Sequence, residues 1–580
     1  MAPPATPAIA RTARPLDGLR VDASGPPGPA DGLVAEHLRL LGSEGDGGPG
    51  GYIRLSGKEF SGITARTRWG DGVVDEATVQ AATGVMAVHG RRDGTPRGLA
   101  VDYAATATGV LAVQALLAGL LAQARGGQVP DAEVSAERAG LLAVSQYLAA
   151  AGAEEAEAAE VAPGGPPFTS AEGVVFELET LDPGAWAAFW RALDAPSEAI
   201  RRGWQPFQFR YATACAPFPQ ALHDCARSQG WARVREAARS SGAEVCPLHT
   251  LTERAAEYDG APPWELTPRA ASYSGAAERA TVDAPLAGLT VLEAGRRIQA
   301  PLAAHLLGLL GAEVVRIEPP GGDPLRGMPP ACSGISARWL ALNRGKKAVE
   351  VDIKSATNRE RLRAMAAEAD VFLHNWAPGK AAELGLDHEH LSTANPSLVY
   401  AHTSGWAGRL PDAPMGTDFM VQARTGVGEA ARPADEPSAP SLMTMIDVLG
   451  GLIGAEAVLA GLLLRQRTGA GVRVDSSLLG AADVLTSGAR ARAARGLDPR
   501  RPAGFRRPLP TADGWIALPD HPARPCDMRD LTTAEALQGL RERGLTAVPV
   551  VTDLADLLSS GSISRDAHGA PAVPAPWRFA

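Results

Sequence analysis

Asp447 stands immediately ahead of the apolar run VLGGLIGAEAVLAGLLL, so the sequence places a carboxylate at the head of a strongly hydrophobic helix. Unpaired backbone N–H groups and the helix dipole favour its charged form there. A charged oxygen held in this way can act as a nucleophile; Asp is also a common plain N-cap at a helix start. Asp102 precedes a second apolar run, Tyr103 to Ala122, and reads as a capping or solvated carboxylate. Other chemistries lack their residue patterns. Cys215, Cys225, Cys246, Cys332 and Cys526 show neither CxxC spacing nor a Cys/His cluster, so no metal site or disulfide framework is expected. No GxGxxG follows a strand pattern, and GDGGPGG at 45–51 reads as a loop, so a nicotinamide cofactor is not supported.

The elements that must position Asp447 alternate between strand and helix. LTVLEA at 289–294 is a short apolar strand, RRIQAPLAAHLLGLLGA has helical spacing and stops at Gly311, and EVVRIE is the next strand. KKAVEVDIK, SATNRERLRAMAAEA, DVFLHNW and SLVYAHTSG continue the alternation. The fold class is α/β, with a Rossmann-like parallel sheet whose ligand sites lie at the carboxyl ends of strands.

The chain also repeats itself. VQAATG at 79–84 pairs with VQARTG at 421–426, Gly109 with Gly451, and LAGLL at 117–121 with LAGLL at 459–463, all at one offset of 342 residues. TSAEGVVFEL from Thr169 resembles TADGWIALPD from Thr511, and AEVCPLHTL from Ala243 resembles TAVPVVTDL from Thr546. From Gly173 to Pro247 is 74 residues and from Gly514 to Pro549 only 35, so the second tail is shortened. The first half shows no counterpart of the segment from Leu286 to about Tyr400, apart from a faint echo of AAHLLGLLG in AEHLRLLG at 35–42. The offset puts Ala105 opposite Asp447, which predicts one active site per chain. The expected organisation is a disordered Pro/Ala-rich arm at 1–30, a degenerate unit at 31–265, a linker at 266–285, and a unit at 286–580 carrying the Rossmann segment and Asp447.

Linked motifs make the second unit resemble the class III CoA-transferase family: PLAGLTVLEA, PLAAHLLGLLGAEVVRIEPPGGDPLR, LNRGKKAVEVDIK, ADVFLHNWAPGKAAELGL, SGWAG, GTDFMVQARTG and the Asp447 helix ending RQRTGAG. The resemblance implies that Asp447 attacks an acyl-CoA, giving a mixed anhydride and then an aspartyl-CoA thioester before an acceptor acid collects CoA. It implies that Gln299 bonds the acyl carbonyl. CoA contacts are implied for Gln299 and Ala300, for Val351, Asp352, Ile353 and Lys354, and for Asn375, Trp376 and Ala377, with Gly416, Thr417 and Asp418 beside the pocket. CoA is then a substrate rather than a resident cofactor. Family members form interlocked dimers, so the two tandem units here resemble such a dimer fused into one chain, with a further homodimer open. The sequence departs from the family at Glu383 and Met415, where cations are usual, and lacks the glycine-rich flap across 487–515; Arg326, Arg344, Lys346, Lys347 or Lys380 could compensate.

Related readings share this fold. An acyl-CoA racemase or isomerase needs a second base, a histidine in the family's GHD, where this chain has Gly416, Thr417 and Asp418. A specialised enzyme acting on a carrier-bound acyl thioester is a second such reading, and a catalytically inactive scaffold is a third. The net charge of −9 argues against nucleic acid as a partner. Gln114 and Glu456 interrupt the two long apolar runs, which favours buried helices over membrane spans, and the cysteine usage with no evident leader suggests the cytoplasm.

Overall fold

The computed structural model describes residues 14–45, 48, 50–70, 72–269, 280–520 and 527–580. Cys526 and most of the proposed linker, 270–279, lie outside the described residues, as do residues 1–13 of the proposed arm.

The predicted strands of the second half form at Thr290–Ala294, Glu313–Glu318, Lys347–Glu350, Val371–His374 and Val399–Ser404, joined by Gly471–Ser477. These six are parallel. Numbered in chain order, they lie side by side as 3-2-1-4-5-6, the doubly wound order whose direction reverses between the first strand and the fourth. A seventh strand, Trp264–Arg269, runs antiparallel beside Gly471–Ser477. Its residues belong to the first half and to the start of the expected linker, so that linker begins as part of the sheet instead of as a free tether.

The first half builds a second sheet, ordered Arg20–Ser24, Tyr52–Gly57, Phe60–Arg68, Asp131–Ser135 and Trp577–Phe579. Its last strand is the chain's C-terminal one. Each unit thus lends an edge strand to the other, and in the same register: Trp264 pairs with Ser476, while Trp577 pairs with Val134, 342 residues earlier. A borrowed strand satisfies an otherwise open sheet edge with backbone bonds, which ties the units together independently of any side chain.

The expectation of an arm over 1–30 fails from residue 14 onward. PLDGLRV at 15–21 is the counterpart of PLAGLTV at 285–291. Leu16 N–H donates to Leu41 O, as Leu286 N–H does to Leu310 O, and Glu44 N–H donates to Leu19 O, as Glu313 N–H does to Leu289 O. The helix Asp31–Leu40 therefore stands where Gln299–Leu309 stands in the second unit. The first unit keeps the opening strand and helix of the Rossmann segment, and the hairpin Tyr52–Gly57/Phe60–Arg68 then enters its sheet beside them.

Helices Tyr103–Ala124 and Met445–Thr468 are long and apolar enough to cross a membrane, yet both are buried almost throughout and pack on one another at the centre. Tyr103 Oη donates to Met445 O (3.2 Å) and Gln114 Nε2 to Leu452 O (2.7 Å). Both donors thus reach a main-chain carbonyl across the pair, which a dry interface favours. The tail repeat also folds as paired sheets: Phe168–Thr169, Val175–Glu179 and Glu244–Pro247 in one unit, Leu509–Pro510, Trp515–Ala517 and Val548–Pro549 in the other. Between the last two strands the first unit carries four helices and the second, among the described residues, one.

Candidate active site

A cavity of about 1210 Å³ opens at the carboxyl ends of the parallel strands, where the strand order reverses. Arg296 and Arg297 follow the first strand into it, Asn375 and Trp376 follow the fourth, and Gly405 follows the fifth. This is where an open α/β sheet leaves a crevice, because the connections on either side turn away from one another. The opposite wall comes from the first half, including Glu179, Arg210, Tyr211, Glu244 and Trp264.

Asp447 lies in the first turn of Met445–Thr468 and lines this cavity. Among the described residues its carboxylate accepts no hydrogen bond. Its own N–H is taken by Asp418 Oδ2 (2.7 Å). Asp418 is buried and braced in turn: Gln422 Nε2 donates to Asp418 Oδ1 and to Ser441 O (2.8 Å), and Ser441 N–H donates to Gln422 Oε1 (2.8 Å). Asp418 is therefore the cap of the helix, and Asp447 is not. The expectation that free N–H groups stabilise an ionised Asp447 is corrected accordingly. Burial, the neighbouring Asp418 carboxylate and Glu179 push the Asp447 carboxyl well above the ordinary range, against the opposing pull of Arg297. Burial also raises Asp418, to about 6, although the N–H groups of Asp447 and Ile446 and the Gln422 amide favour its charge.

Gln299 begins the helix Gln299–Leu309 and packs against the turn after Asp447. That approach requires glycine on the other side: a Cβ at Gly450 would lie 3.0 Å from Gln299 Nε2, and one at Gly451 would lie 2.9 Å from Gln299 O. Ala300 is wholly buried beneath Gln299 and does not line the cavity. Asn375 Oδ1 accepts from Arg296 N–H (2.8 Å) while its Nδ2 donates to Arg296 O (2.9 Å), so it fastens the loop after the first strand to the loop after the fourth. Trp376 and Ala377 line the cavity beside it. In the neighbouring loop, Gly416 meets Gly405 so closely that a Cβ on Gly405 would lie 2.4 Å from Gly416 Cα. Thr417 Oγ1 donates to Glu179 Oε2 (2.8 Å), joining the site to the first half.

Val351, Asp352, Ile353 and Lys354 do not join this set. They follow the third strand, two strands away from the reversal point and so roughly 10 Å to its side by the usual strand spacing. The five cations expected to compensate for Glu383 and Met415 also stay away. Lys346 is buried against Glu293, Pro301 O and Asn343; Arg326 pairs with Glu318, Lys347 with Glu313 and Lys380 with Glu383; and Arg344 donates to Ala341 O and Val573 O. Sequence reasoning missed Arg297 and the Tyr211 facing it. Arg297 has a left-handed backbone (φ 61°), lies 5.6 Å over the Tyr211 ring, and has no carboxylate within ion-pair distance among the described residues. Strained backbone of this kind concentrates at working sites. The signal was the pair of arginines directly after the first strand.

Several known proteins are similar to parts of this chain. The succinyl-CoA:glutarate CoA-transferase of Mus musculus is 37% identical over 199 residues, covering 34% of this chain and 45% of that protein. A probable fatty acyl-CoA transferase of Mycobacterium tuberculosis is 35% identical over 191 residues (32% and 48%), and the acetyl-CoA:oxalate CoA-transferase of Acetobacter aceti is 33% identical over 198 (33% and 51%). The chain spans about half the length of these curated relatives. A solved CaiB/BaiF family protein from Brucella suis aligns at 25% identity with a TM-score of 0.45, covering 50% of this chain and 91% of its own. The model of CoA-transferase family III matches residues 67–259 and again 286–546, so most of the chain, in two successive units, belongs to that family.

Proposed function

We propose that the protein transfers CoA between carboxylic acids at a single site built on Asp447, with the first half as the far wall of that site. The observation that carries this reading is an unpartnered carboxylate, at the head of a buried helix, facing a cavity lined by both halves. The Asp447 oxygen adds to the thioester carbon of an acyl-CoA; the C–S bond breaks, leaving CoA thiolate and a mixed anhydride. The thiolate then attacks the Asp447 acyl carbon, releasing the donor acid and leaving an aspartyl-CoA thioester. An acceptor carboxylate attacks that thioester, and the returning thiolate takes the acceptor's acyl group and frees Asp447. No water enters, and every bond broken is matched by one formed.

Asp447 must lose its proton before the first step, and Arg297 is the cation placed to favour that loss. Gln299 is proposed to bond the acyl oxygen as it gains charge. Trp376, Asn375 and Ala377 flank the path of the pantetheine arm, and the CoA nucleotide is drawn toward Val351–Lys354 along the outer strands. Named relatives act on succinyl-CoA, glutarate and oxalate. Short dicarboxylates are accordingly the proposed acids, with Arg297 free to meet a distal carboxylate.

Mass spectrometry of the intact chain mixed with a panel of acyl-CoAs tests this reading. Expected is a hydroxylamine-sensitive adduct on Asp447, absent from Asp447→Asn. No adduct from any member of the panel, with substrate bound, would favour a scaffold instead.

A further inference from the structure

A second cavity, of about 500 Å³, lies between the halves: the first unit contributes Ala105, the residue at the position of Asp447, and the second contributes Arg490, Arg492 and Arg501. It is therefore the vestige of an active cavity, without a nucleophile. Four arginines line it: Arg39, which is exposed, and Arg490, Arg492 and Arg501. The carboxylates in its inner wall are already engaged: Asp483 accepts from Arg254 Nη2 at both oxygens (2.7 and 2.8 Å) and from its Nε (3.0 Å), and Asp102 accepts from Arg501 (3.0 Å) and Arg506 (2.5 Å). Glu36 is exposed at the rim.

Arg492 is left over. It has no carboxylate within ion-pair distance among the described residues, and its one hydrogen bond goes to Pro499 O. Its Nε is buried without a partner, and so is the Nε of Arg501. Arg490 is held in place by Thr486 Oγ1 and Asp483 O (2.8 Å each) and by the Tyr258 ring, 4.1 Å below. Burial and the adjacent Arg501 lower the pKa of Arg492, against the opposing pull of Asp102 and Asp498. Buried donors of this kind cost stability until something accepts from them.

We propose that this vestigial cavity binds a small oxyanion, a carboxylate or a phosphate group, on Arg492 with Arg490 and Arg501 beside it. Guanidinium forks match both groups in geometry and charge. No turnover follows, because Ala105 offers no nucleophile. The site is independent of the chemistry proposed for Asp447, although residues 261–263 line both cavities.

Gly488 provides a test that does not put the fold at risk. It lies one turn before Arg492 on the helix Ser487–Ala494, and a Cβ there would meet only Arg492 Nη1, at 4.0 Å. Gly488→Glu places a carboxylate four residues ahead of Arg492, the favourable order for a helical ion pair. The variant occupies the site from within and exchanges a helical glycine for a better helix former. Succinate and inorganic phosphate are titrated separately into the full chain by calorimetry, at constant ionic strength.

The expected result is saturable binding of one or both probes, weakened by about tenfold or more in Gly488→Glu and in Arg492→Gln, as for loss of a charged partner. The phosphate response and the loss caused by Gly488→Glu should be unchanged in Asp447→Asn, whereas succinate bound in the Asp447 cavity is recognised by its insensitivity to Gly488→Glu. A Gly488→Glu-sensitive response to succinate alone assigns a carboxylate ligand, and one to phosphate alone a phosphate. Identical titrations for the wild-type chain and Gly488→Glu would overturn the proposal.

Discussion

The heads of the two central helices carry the same scaffold around different chemistry. Glu76 receives the N–H groups of Ala104 and Ala105 at 2.8 Å each, and Gln80 bridges Glu76 to both backbone groups of Leu99. Asp418, Gln422 and Ser441 repeat this arrangement 342 residues later. What differs is what faces the cavity. Asp447 is replaced by Ala105, and Gln299 by Ala30, whose carbonyl meets Gly109 as that of Gln299 meets Gly451. A buried acid has been kept in the unit that has alanine in place of Asp447, so its work in both units is to cap a helix. The aspartate and the glutamine are what one unit dispenses with. The vestigial head is also closed by Arg506, which is buried and bonds Leu99 O, Val101 O, Asp102 and Asp520.

Four predictions break or sharpen this comparison. The largest effect is expected for Asp447→Ala, which should reduce CoA transfer by roughly a thousandfold or more, as for removal of a covalent nucleophile. Ala105→Asp should restore nothing in that background, since no glutamine and no nucleotide-side strands accompany it. Assays of both variants on a short dicarboxylyl-CoA would decide; rescue by Ala105→Asp would mean that the first unit retains a complete site.

Glu76→Ala and Asp418→Ala should each destabilise the chain by about 2 kcal/mol through loss of a buried cap, read from denaturant midpoints. Only the second should also lower kcat, because only it adjoins Asp447. Equal catalytic losses would contradict a purely structural Glu76.

Proton linkage has a definite sign here. Burial holds Asp418 up at about 6 and Glu76 at about 7, so above about pH 4 the folded chain keeps protons that the unfolded chain has released. Their contribution to stability is full below about pH 4 and is lost as pH rises through those values. Glu76→Gln and Asp418→Asn should each flatten part of that fall. Catalysis should run the other way, rising with pH as Asp447 ionises. A kcat that falls across the same interval would point to a protonated acid in place of a carboxylate nucleophile.

The smallest effect concerns Glu456, buried against His37 at 2.9 Å, where the other helix has Gln114. Glu456→Gln should shift stability by no more than about 1 kcal/mol, since a buried ion pair gains little over a neutral hydrogen bond of the same shape. A loss of several kcal/mol in thermal or chemical unfolding would show that the charge itself fastens the units.

Much of this was legible from residue order. Asp447 was singled out by its place before a long apolar run together with the motifs that resemble the family, and the motif GTDFMVQARTG carried Asp418 and Gln422 four residues apart. The N-terminal strand was legible too, in PLDGLRV, but Pro- and Gly-rich flanks disguised it as an arm. Asp447 was misjudged in one respect: a sequence shows that helix N–H groups exist but not that a neighbouring helix supplies the acid that takes them. The Val351–Lys354 segment was misplaced relative to the cavity because strand order across a sheet is absent from order along the chain.

By itself the sequence determined the α/β alternation, the tandem repeat, and the replacement of Asp447 by Ala105 in one unit, since periodicity and aligned residue types are local properties. Only the tertiary structure decided that the units exchange edge strands, that Asp418 rather than Asp447 caps the helix, and that Arg297 and Tyr211, from opposite halves, share one cavity. Those outcomes depend on which distant segments exclude water together, and burial of that kind is settled by the packed whole.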